Sequence, residues 1–178
     1  DCSLGKLSKG LLMDKALGPE AVSQALRRLG ASGEVHHFDD HTSTSRDAAR
    51  VLGIELGQIA KSLCFLGNGN PFLVVTSGDT KVLEARIAKA LEIGRKKIKI
   101  AKPDHCVEIF GYLPGGVPPV GLRDESIPIY VDRTLDRYEV VWAAGGSPHD
   151  NFPTSFDELL ELTKGRPVDW SEVQAPPV

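Results

Sequence analysis

Residues 111–122, GYLPGGVPPVGL, restrict the fold more than any other part of the chain. Three prolines lack a backbone donor and fix φ, while four glycines permit positive φ, so neither a helix nor a central strand can pass through. Unlike most surface linkers, the segment is largely apolar. We therefore expect a rigid loop packed against the body of the protein. It is either a helix-to-strand connection or a wall that offers the N–H groups of Gly115 and Gly116 to a ligand.

The composition is that of one domain without a membrane span or a strongly basic surface. The chain has 178 residues, 41% of them hydrophobic and 25% charged, and a net charge of −3. No apolar run approaches the ~18 residues that a spanning helix needs. The cysteines, Cys2, Cys64 and Cys106, lack metal-ligand spacing, and the latter two are expected to be reduced core residues. We expect a cytoplasmic protein with no cofactor and no metal.

Hydrophobic spacing predicts helices and strands of a single domain. Helices are predicted over residues 19–29, 45–52, 82–91, 103–110 and 156–162, and strands over residues 34–38, 59–66, 71–77, 97–100, 127–131 and 138–142. One hairpin and several strands separated by helices indicate an α/β domain with a mixed sheet. The domain is expected to span residues 16–170. Residues 1–15 are expected to be a flexible extension or a cloning remnant, with Met13 as a candidate native start, and residues 171–178 a flexible tail.

Lys61 interrupts a strand that is otherwise suited to burial. Alternation would place it on the same face as Leu63 and Phe65, where an ammonium group is costly unless it reaches water, a partner or a cleft. It is therefore either an edge lysine whose ammonium reaches water or a cation that holds a phosphate or carbonyl oxygen at a cleft. The strand alone favours the first interpretation.

The AAGGSPHD segment brings four candidate residues into one loop: Gly145, Gly146, Ser147 and His149. Two glycines can form a nest for an anion, and a serine with a histidine suggests nucleophilic catalysis. No G-x-S-x-G elbow accompanies them, so a serine nucleophile is disfavoured. Elsewhere, the adjacent His36 and His37 would point to opposite faces of a strand, which argues against a metal site.

A cluster of cations lies where the sequence predicts a half-exposed strand: Arg95, Lys96, Lys97, Lys99 and Lys102. Charged residues often protect an edge strand from pairing with other chains. The same charges could contact the phosphates of a nucleic acid, with an affinity that depends on salt and not on base sequence. Because the net charge is negative, such a contact would be local.

Four motifs occur in the order typical of a known family: GQIAKSL at 57–63, LVVTSGD at 73–79, GYLPGGVPPVGL at 111–122 and AAGGSPH at 143–149. Together they resemble the YbaK/ProX family, the free-standing relatives of the editing domain inserted in bacterial-type prolyl-tRNA synthetases. The resemblance covers residues 42–163. It implies a single α/β domain in which helices surround a curved, mixed, mostly antiparallel sheet.

The resemblance also implies an activity, hydrolysis in trans of the ester between a wrong amino acid and the 3′ end of tRNA. The implied mechanism is substrate-assisted, because the terminal ribose hydroxyl and not a protein base helps water to attack. Lys61 would orient the terminal adenosine through its phosphate, and the amides of Gly115 and Gly116 would hold the carbonyl and the developing oxyanion. The other implied substrate-binding residues are Val117, Pro118, Pro119, Gly145, Gly146, Ser147, His149, Thr42 and Ser43.

The GGVPPVG and GGSPH forms look more like the ProX branch of the family. This favours a small residue mischarged on tRNA for proline, alanine first and then cysteine or serine. The implied partners are the acceptor end of aminoacyl-tRNA and prolyl-tRNA synthetase, with the chain a monomer or weak homodimer. Two alternatives stay open: a non-catalytic RNA- or DNA-binding module on the same fold, and a hydrolase of another small ester or amide with Ser147 as nucleophile.

Overall fold

The structure is a computed structural model that describes residues 9–176, so the remaining residues of the expected extension and tail, Cys2 included, lie outside the described part. The helices are α1 (Lys9–Lys15), α2 (Pro19–Leu29), α3 (Ser45–Leu52), α4 (Glu84–Leu91), α5 (Pro103–His105, continued by a π-helical turn at Cys106–Phe110) and α6 (Phe156–Thr163). The strands are β1 (His36–His37), β2 (Ile59–Gly67), β3 (Asn70–Ser77), β4 (Thr80–Val82), β5 (Ile98–Ile100), β6 (Ile129–Asp132), β7 (Val141–Ala144), β8 (Asp150–Thr154), β9 (Arg166–Val168) and β10 (Ser171–Val173).

The main sheet has the strand order β1–β8–β7–β2–β3–β6–β9, and β5 pairs with β2 on the same side as β7. The pairs β1–β8, β8–β7, β2–β3 and β2–β5 are antiparallel, whereas β7–β2, β3–β6 and β6–β9 are parallel. A separate antiparallel ribbon joins β4 to β10. The expected single α/β domain with a mixed, mostly antiparallel sheet is therefore confirmed.

Local sequence signals determine several element boundaries. The β2–β3 hairpin turns at Asn68 and Gly69, whose φ values of 51° and 82° fit the left-handed residues of a type I′ turn. Helix α3 begins after Thr44, whose hydroxyl accepts a hydrogen bond from a backbone N–H of the first turn, and it ends before Gly53 in the left-handed conformation. Ser155 caps α6 in the same way.

Both faces of the sheet are covered, as the side chains of β3 show. Leu73 and Val75 face a core formed with α2, α6 and the 111–122 loop, whereas Phe72 and Val74 face a second core formed with α4. Each of these four residues is at most 4% exposed. A strand covered on both sides is a continuous apolar run, so its sequence predicted burial without indicating which helix covers which face.

The 111–122 loop packs against the body of the protein, as its composition predicted. Val117 and Leu122 belong to the core under the sheet, and each is 5% exposed. Tyr112 is fully buried there, and its hydroxyl donates a 2.6 Å hydrogen bond to the carbonyl of Gly121. Because this bond joins the two ends of the loop, it holds the loop in one shape.

Tyr112→Phe should lower the stability of the protein by about 1 kcal/mol at neutral pH, because the Gly121 carbonyl loses its donor. For a domain of this size, that loss corresponds to a fall in Tm of about 2–4 °C. Burial raises the pKa of Tyr112 to about 12 from its ordinary value of 10.0, and Arg123 opposes the shift. The stabilisation is therefore complete below the ordinary value and is lost as the pH rises towards the raised one.

Urea unfolding of Tyr112→Phe and wild type at several pH values tests this prediction. The difference in unfolding free energy should be constant up to about pH 10 and should shrink above it. A difference that persists unchanged into the alkaline range would show that the hydroxyl titrates in the same way in the folded and unfolded chains.

Ordered structure extends beyond the domain boundaries expected from the sequence. Residues 9–15, expected as part of a flexible extension, form α1, in which Leu12 is buried and the carbonyl of Lys15 accepts a hydrogen bond from Arg123. Ser171–Val173, expected as part of the tail, form β10 and pair with β4. Both elements are too short to show a hydrophobic period in the sequence. Contacts with distant segments hold them in place.

The sequence did not predict the strands β4, β8 and β9, and the remaining differences from the predicted elements are shifts of their ends. The strands predicted at 127–131 and 138–142 lie at 129–132 and 141–144, the strand at 34–38 keeps only His36–His37, and residue 82, predicted to begin a helix, ends β4. Such ends depend on which neighbouring strand each residue meets, and this partner is not encoded in the local pattern.

Candidate active site

Within residues 9–176, one side of β2 has no partner strand over its central residues. β7 pairs with β2 only at Ile59 and Ala60, and β5 pairs with it only from Phe65 to Gly67. Residues 61–64 lie between these two neighbours, whereas β3 pairs with the opposite side over the same stretch. This gap, called here the break in β2, leaves main-chain groups of a central strand available to a ligand.

A cavity of about 220 Å³ opens at the break in β2. Its walls come from β2, the start of α3 with the residues before it, the 111–122 loop and the β7–β8 pair. The polar and loop residues that line it include Thr42, Ser43, Lys61, Ser62, Gly115, Val117 and Asn151. Among the described lining residues Lys61 is the only ionisable one. The cavity therefore presents one cation, several hydroxyls and an amide.

Lys61 lies at the wall of this cavity with its ammonium group held by the protein. Its Nζ donates a 2.6 Å hydrogen bond to the carbonyl of Thr80. Burial lowers the pKa of the Lys61 ammonium, and the carboxylate of Asp79 opposes that shift. Asp79 is in turn held by a bidentate ion pair with Arg137, at 2.7 and 3.1 Å. The ammonium of Lys61 is therefore held by a main-chain carbonyl, and its role as a cation at a cleft stays a prediction.

The two glycines expected to form an oxyanion site differ in their hydrogen bonding. Gly115 lines the cavity with a φ of 89°, and its N–H has no partner among residues 9–176. The N–H of Gly116 donates to the carbonyl of Leu113 at 3.1 Å, and Gly116 does not line the cavity. In this conformation only Gly115 offers a free amide, because the second amide closes a turn of the loop.

Gly116 contacts the AAGGSPHD segment directly. The N–H of Gly146 donates to the carbonyl of Gly116 at 3.1 Å, and a Cβ on Gly116 would lie 3.0 Å from the main chain of Ser147. No side chain fits between these two segments, which form one wall behind the cavity. Four residues expected to bind substrate are buried outside the cavity lining: Pro118, Pro119, Gly145 and Gly146.

Ser147 and His149 do not form a nucleophile–base pair. The hydroxyl of Ser147 donates to the buried carboxylate of Asp150 and accepts the N–H of His149 at 3.1 Å. Nδ1 of His149 lies 3.0 Å from the carbonyl oxygen of Phe38, and neither Ser147 nor His149 lines the cavity. The other carboxylate oxygen of Asp150 lies 3.0 Å from Nδ1 of His37. The Ser147 hydroxyl is bound to a carboxylate and not to an imidazole, so it stabilises the loop and is not arranged as a nucleophile.

Thr42 and Ser43 line the cavity as expected, together with Ser62 and Asn151, which the sequence analysis missed. The side-chain amide of Asn151 donates a 2.7 Å hydrogen bond to Thr42, whose hydroxyl donates to a main-chain carbonyl at 2.9 Å. Ser62 directly follows Lys61, but alternation points the two side chains to opposite faces. The break in β2 allows both residues to line one cavity, and no local sequence signal announces it.

The predicted basic residues form an exposed strip on β5 and the turns beside it: Arg95, Lys96, Lys97, Lys99 and Lys102. β5 is one of the two strands that border the break in β2. Arg95 lies 4.0 Å from Glu84, an exposed ion pair of small energetic weight.

Within residues 9–176, no three His, Cys, Asp or Glu side chains are arranged to hold a metal ion. The same part of the chain contains no helix with the length and apolarity to cross a membrane. Cys64 and Cys106 are buried free thiols, as the sequence predicted.

The chain is similar to known proteins both in sequence and in structure. Residues 39–162 match the family described as the aminoacyl-tRNA editing domain. The chain is 29% identical over 129 residues to an Enterococcus faecalis protein provisionally named Cys-tRNA(Pro)/Cys-tRNA(Cys) deacylase EbsC, covering 72% of this chain and 76% of that protein. It is 33% identical over 173 residues to a proline–tRNA ligase of Shouchella clausii, covering 88% of this chain and 28% of the ligase.

A crystal structure provisionally described as a trans-editing enzyme for prolyl tRNA synthetase matches with a TM-score of 0.80 and 33% identity. The match covers 94% of this chain and 99% of that one, so the two share their fold over nearly their whole length. The four ordered motifs and the sheet agree with this match. The chain therefore belongs to the aminoacyl-tRNA editing domain family, as its motifs predicted, and its activity is aminoacyl-tRNA deacylation.

Proposed function

We propose that this protein removes small, wrongly attached amino acids from tRNA, with alanine on tRNA for proline as the first candidate. The observation that carries the proposal is the position of Lys61, whose ammonium is held at the wall of a small cavity. A cation there would bind the phosphate of the terminal adenosine. The aminoacyl group would then lie along the break in β2, where main-chain groups and hydroxyls surround it.

The lining of the cavity supports a mechanism in which the substrate assists its own hydrolysis. Lys61 is the only ionisable residue of the described lining, so no carboxylate or imidazole there is placed to act as a base. The free hydroxyl of the terminal ribose would orient the water that attacks the carbonyl carbon. The bond from that carbon to the ribose oxygen then breaks, the ribose oxygen takes a proton, and the amino acid leaves. The N–H of Gly115 would stabilise the oxyanion in between.

The size of the cavity is compatible with a small acyl group. Its volume of about 220 Å³ does not by itself exclude a larger side chain, so the preference for a small one is not decided by volume. The cavity separates alanine, cysteine and serine only weakly, because one methylene-sized difference is worth about 1–3 kcal/mol. Alanine comes first because of the ProX-like motifs. Cysteine is the second candidate, because the similar protein EbsC is named for Cys-tRNA.

We propose that the acceptor stem crosses the basic strip, and Lys97→Ala/Lys99→Ala tests this path. Each phosphate contact adds about 0.7–0.9 to the slope of log affinity against log salt, so the slope should fall by about 1.5. The measurement is kcat/KM for aminoacyl-tRNA between about 50 and 200 mM salt. Lys9→Ala/Lys15→Ala removes two exposed charges from α1 and is the control. An equal effect in both variants would assign the loss to net charge, and an unchanged slope would remove the strip from the tRNA path.

The central experiment is deacylation of tRNA for proline charged with alanine, cysteine, serine or proline. We expect rapid loss of one mischarged ester, and the ester that is lost fastest identifies the substrate. The correctly charged prolyl ester should survive. Equal loss of all four esters would contradict an editing role. Tight tRNA binding without any hydrolysis would favour the non-catalytic nucleic-acid module instead.

The same proposal places the protein in the cytoplasm, as a monomer or weak homodimer that acts on products of prolyl-tRNA synthetase. Similarity to a proline–tRNA ligase supports the relation to that enzyme. The buried free thiols of Cys64 and Cys106 fit a reducing compartment.

A further inference from the structure

Two buried hydroxyls have no hydrogen-bond partner among residues 9–176, those of Ser62 and Ser77. A buried polar group without a partner destabilises a folded protein, so each one requires an explanation. Both side chains lie on the same face of the sheet, because Ser77 pairs with Ala60 and Ser62 follows two positions later. Only Ser62 lines the cavity. Because the Ser62 hydroxyl is itself buried, it reaches a ligand in the cavity only by rotation of its side chain, which no hydrogen bond from residues 9–176 holds in place.

The main chain of Ser62 also faces the break in β2. The carbonyl of Ile59 accepts the N–H of Gly78 on the β3 side, and the carbonyl of Cys64 accepts the N–H of Ala101 on the β5 side. Main-chain groups alternate between the two sides of a strand, so Ser62 directs its N–H and C=O to the same side as Cys64. No described strand pairs with Ser62 there. Its hydroxyl and carbonyl are thus two acceptors at one point of the wall.

The other polar groups of the cavity indicate what these acceptors would hold. Lys61 is the only ionisable residue of the described lining, so a cationic group of a ligand finds no carboxylate there. The hydroxyl of Thr42 donates to a carbonyl and accepts from the amide nitrogen of Asn151. The amide oxygen of Asn151 accepts no hydrogen bond from residues 9–176. An ammonium group, with three donors and no acceptor, is the ligand group that such neutral oxygens suit.

We propose that Ser62 binds the α-ammonium group of the aminoacyl ester through its hydroxyl and main-chain carbonyl, with the amide oxygen of Asn151 as a further acceptor. This inference rests on the proposed function, since it takes the ligand to be an aminoacyl ester. It gives the cavity a means to distinguish amino acids from other acyl groups. An ester without the amino group leaves the Ser62 hydroxyl unpaired, and a site with an unpaired buried group discriminates strongly.

Ser62→Ala should lower kcat/KM for alanyl-tRNA about tenfold or more, because a hydrogen bond to a charged group is lost. On lactyl-tRNA, in which a neutral hydroxyl replaces the charged amino group, the same substitution should have a clearly smaller effect, because a hydrogen bond between neutral groups is weaker. The variant also removes an unpaired buried hydroxyl, so its Tm should stay the same or rise by about 2–4 °C. Ser77→Ala is the matched control, because it should raise the Tm similarly without changing the hydrolysis of either ester.

Binding gives a second readout that does not depend on turnover. The probe is 3′-alanylamino-3′-deoxyadenosine, a non-hydrolysable amide, compared with its lactyl-amide counterpart by calorimetry. Wild type should prefer the alanyl probe, and Ser62→Ala should lose most of that preference. If wild type hydrolyses no ester but the preference depends on Ser62, the proposed function fails and the ammonium site stands.

Three outcomes would overturn the assignment of Ser62 itself. An unchanged kcat/KM for alanyl-tRNA in Ser62→Ala would mean that the hydroxyl does not contact the substrate. Equal losses on alanyl- and lactyl-tRNA would place its contact elsewhere on the substrate. Parallel falls in activity and Tm would make Ser62 a structural residue.

Discussion

Lys61→Ala should lower kcat/KM for the mischarged ester about 100-fold or more. Lys61 supplies the only charge of the described cavity lining, and the Thr80 carbonyl holds its ammonium at 2.6 Å. Removing one preorganised donor from an active site commonly costs about 10²–10³ in rate. The measurement is single-turnover deacylation of the ester that wild type hydrolyses fastest. Stability should change little, because a partly buried ammonium whose pKa is lowered by burial contributes weakly to folding.

Lys81→Ala is the matched control for this variant, because Lys81 is an exposed lysine of β4 that does not line the cavity. It removes the same charge and should leave kcat/KM within about twofold of wild type. Lys61→Arg should recover little activity, since a planar guanidinium does not replace a compact ammonium held by one carbonyl. A wild-type rate in Lys61→Ala would instead support the interpretation of Lys61 as an edge lysine without a role in catalysis.

Gly115→Ala should both destabilise the protein and slow deacylation. Its φ of 89° is disfavoured for residues with a Cβ, at a cost of about 1–3 kcal/mol. A Cβ there would also lie 3.0 Å from the carbonyl oxygen of Ser43 and 3.1 Å from its Cβ, so the main chain must move. Both residues line the cavity, and we expect kcat/KM to fall at least about tenfold as the wall shifts.

Gly69→Ala separates the effect of conformation from that of crowding. Gly69 has a similar φ of 82° in the β2–β3 hairpin, but a Cβ there would meet no atom within 4 Å. It should lower the Tm by the conformational cost alone and leave kcat/KM unchanged. The additional loss in Gly115→Ala then measures the contact with Ser43. Equal Tm losses with full activity in both variants would show that this contact does not shape the cavity.

The sequence predicted part of the candidate site. Thr42, Ser43, Lys61, Gly115 and Val117 line the cavity, and their expected contact with the substrate stays a prediction. The four residues of the AAGGSPHD segment, also expected to contact the substrate, brace the wall behind the cavity through hydrogen bonds and close packing: Gly145, Gly146, Ser147 and His149. A motif indicates that residues act together, but the distance of each from the ligand depends on how the loops pack.

Local chemistry alone was sufficient for the turns, the caps and the rigidity of the 111–122 loop. These signals act between residues a few positions apart, as in the Asn68–Gly69 turn and the Thr44 cap, so they can be recognised without knowing the fold.

The break in β2 was decided only by the tertiary structure. It exists because residues 59–60 pair with β7 and residues 65–67 pair with β5, two segments that lie far apart in the chain. The hydrogen bonds of a strand edge depend on the partner that happens to cover it, and no local pattern records where that cover ends. For this reason Ser62 and Asn151 carry no signal in the sequence, although in the folded chain they line the same cavity as Lys61.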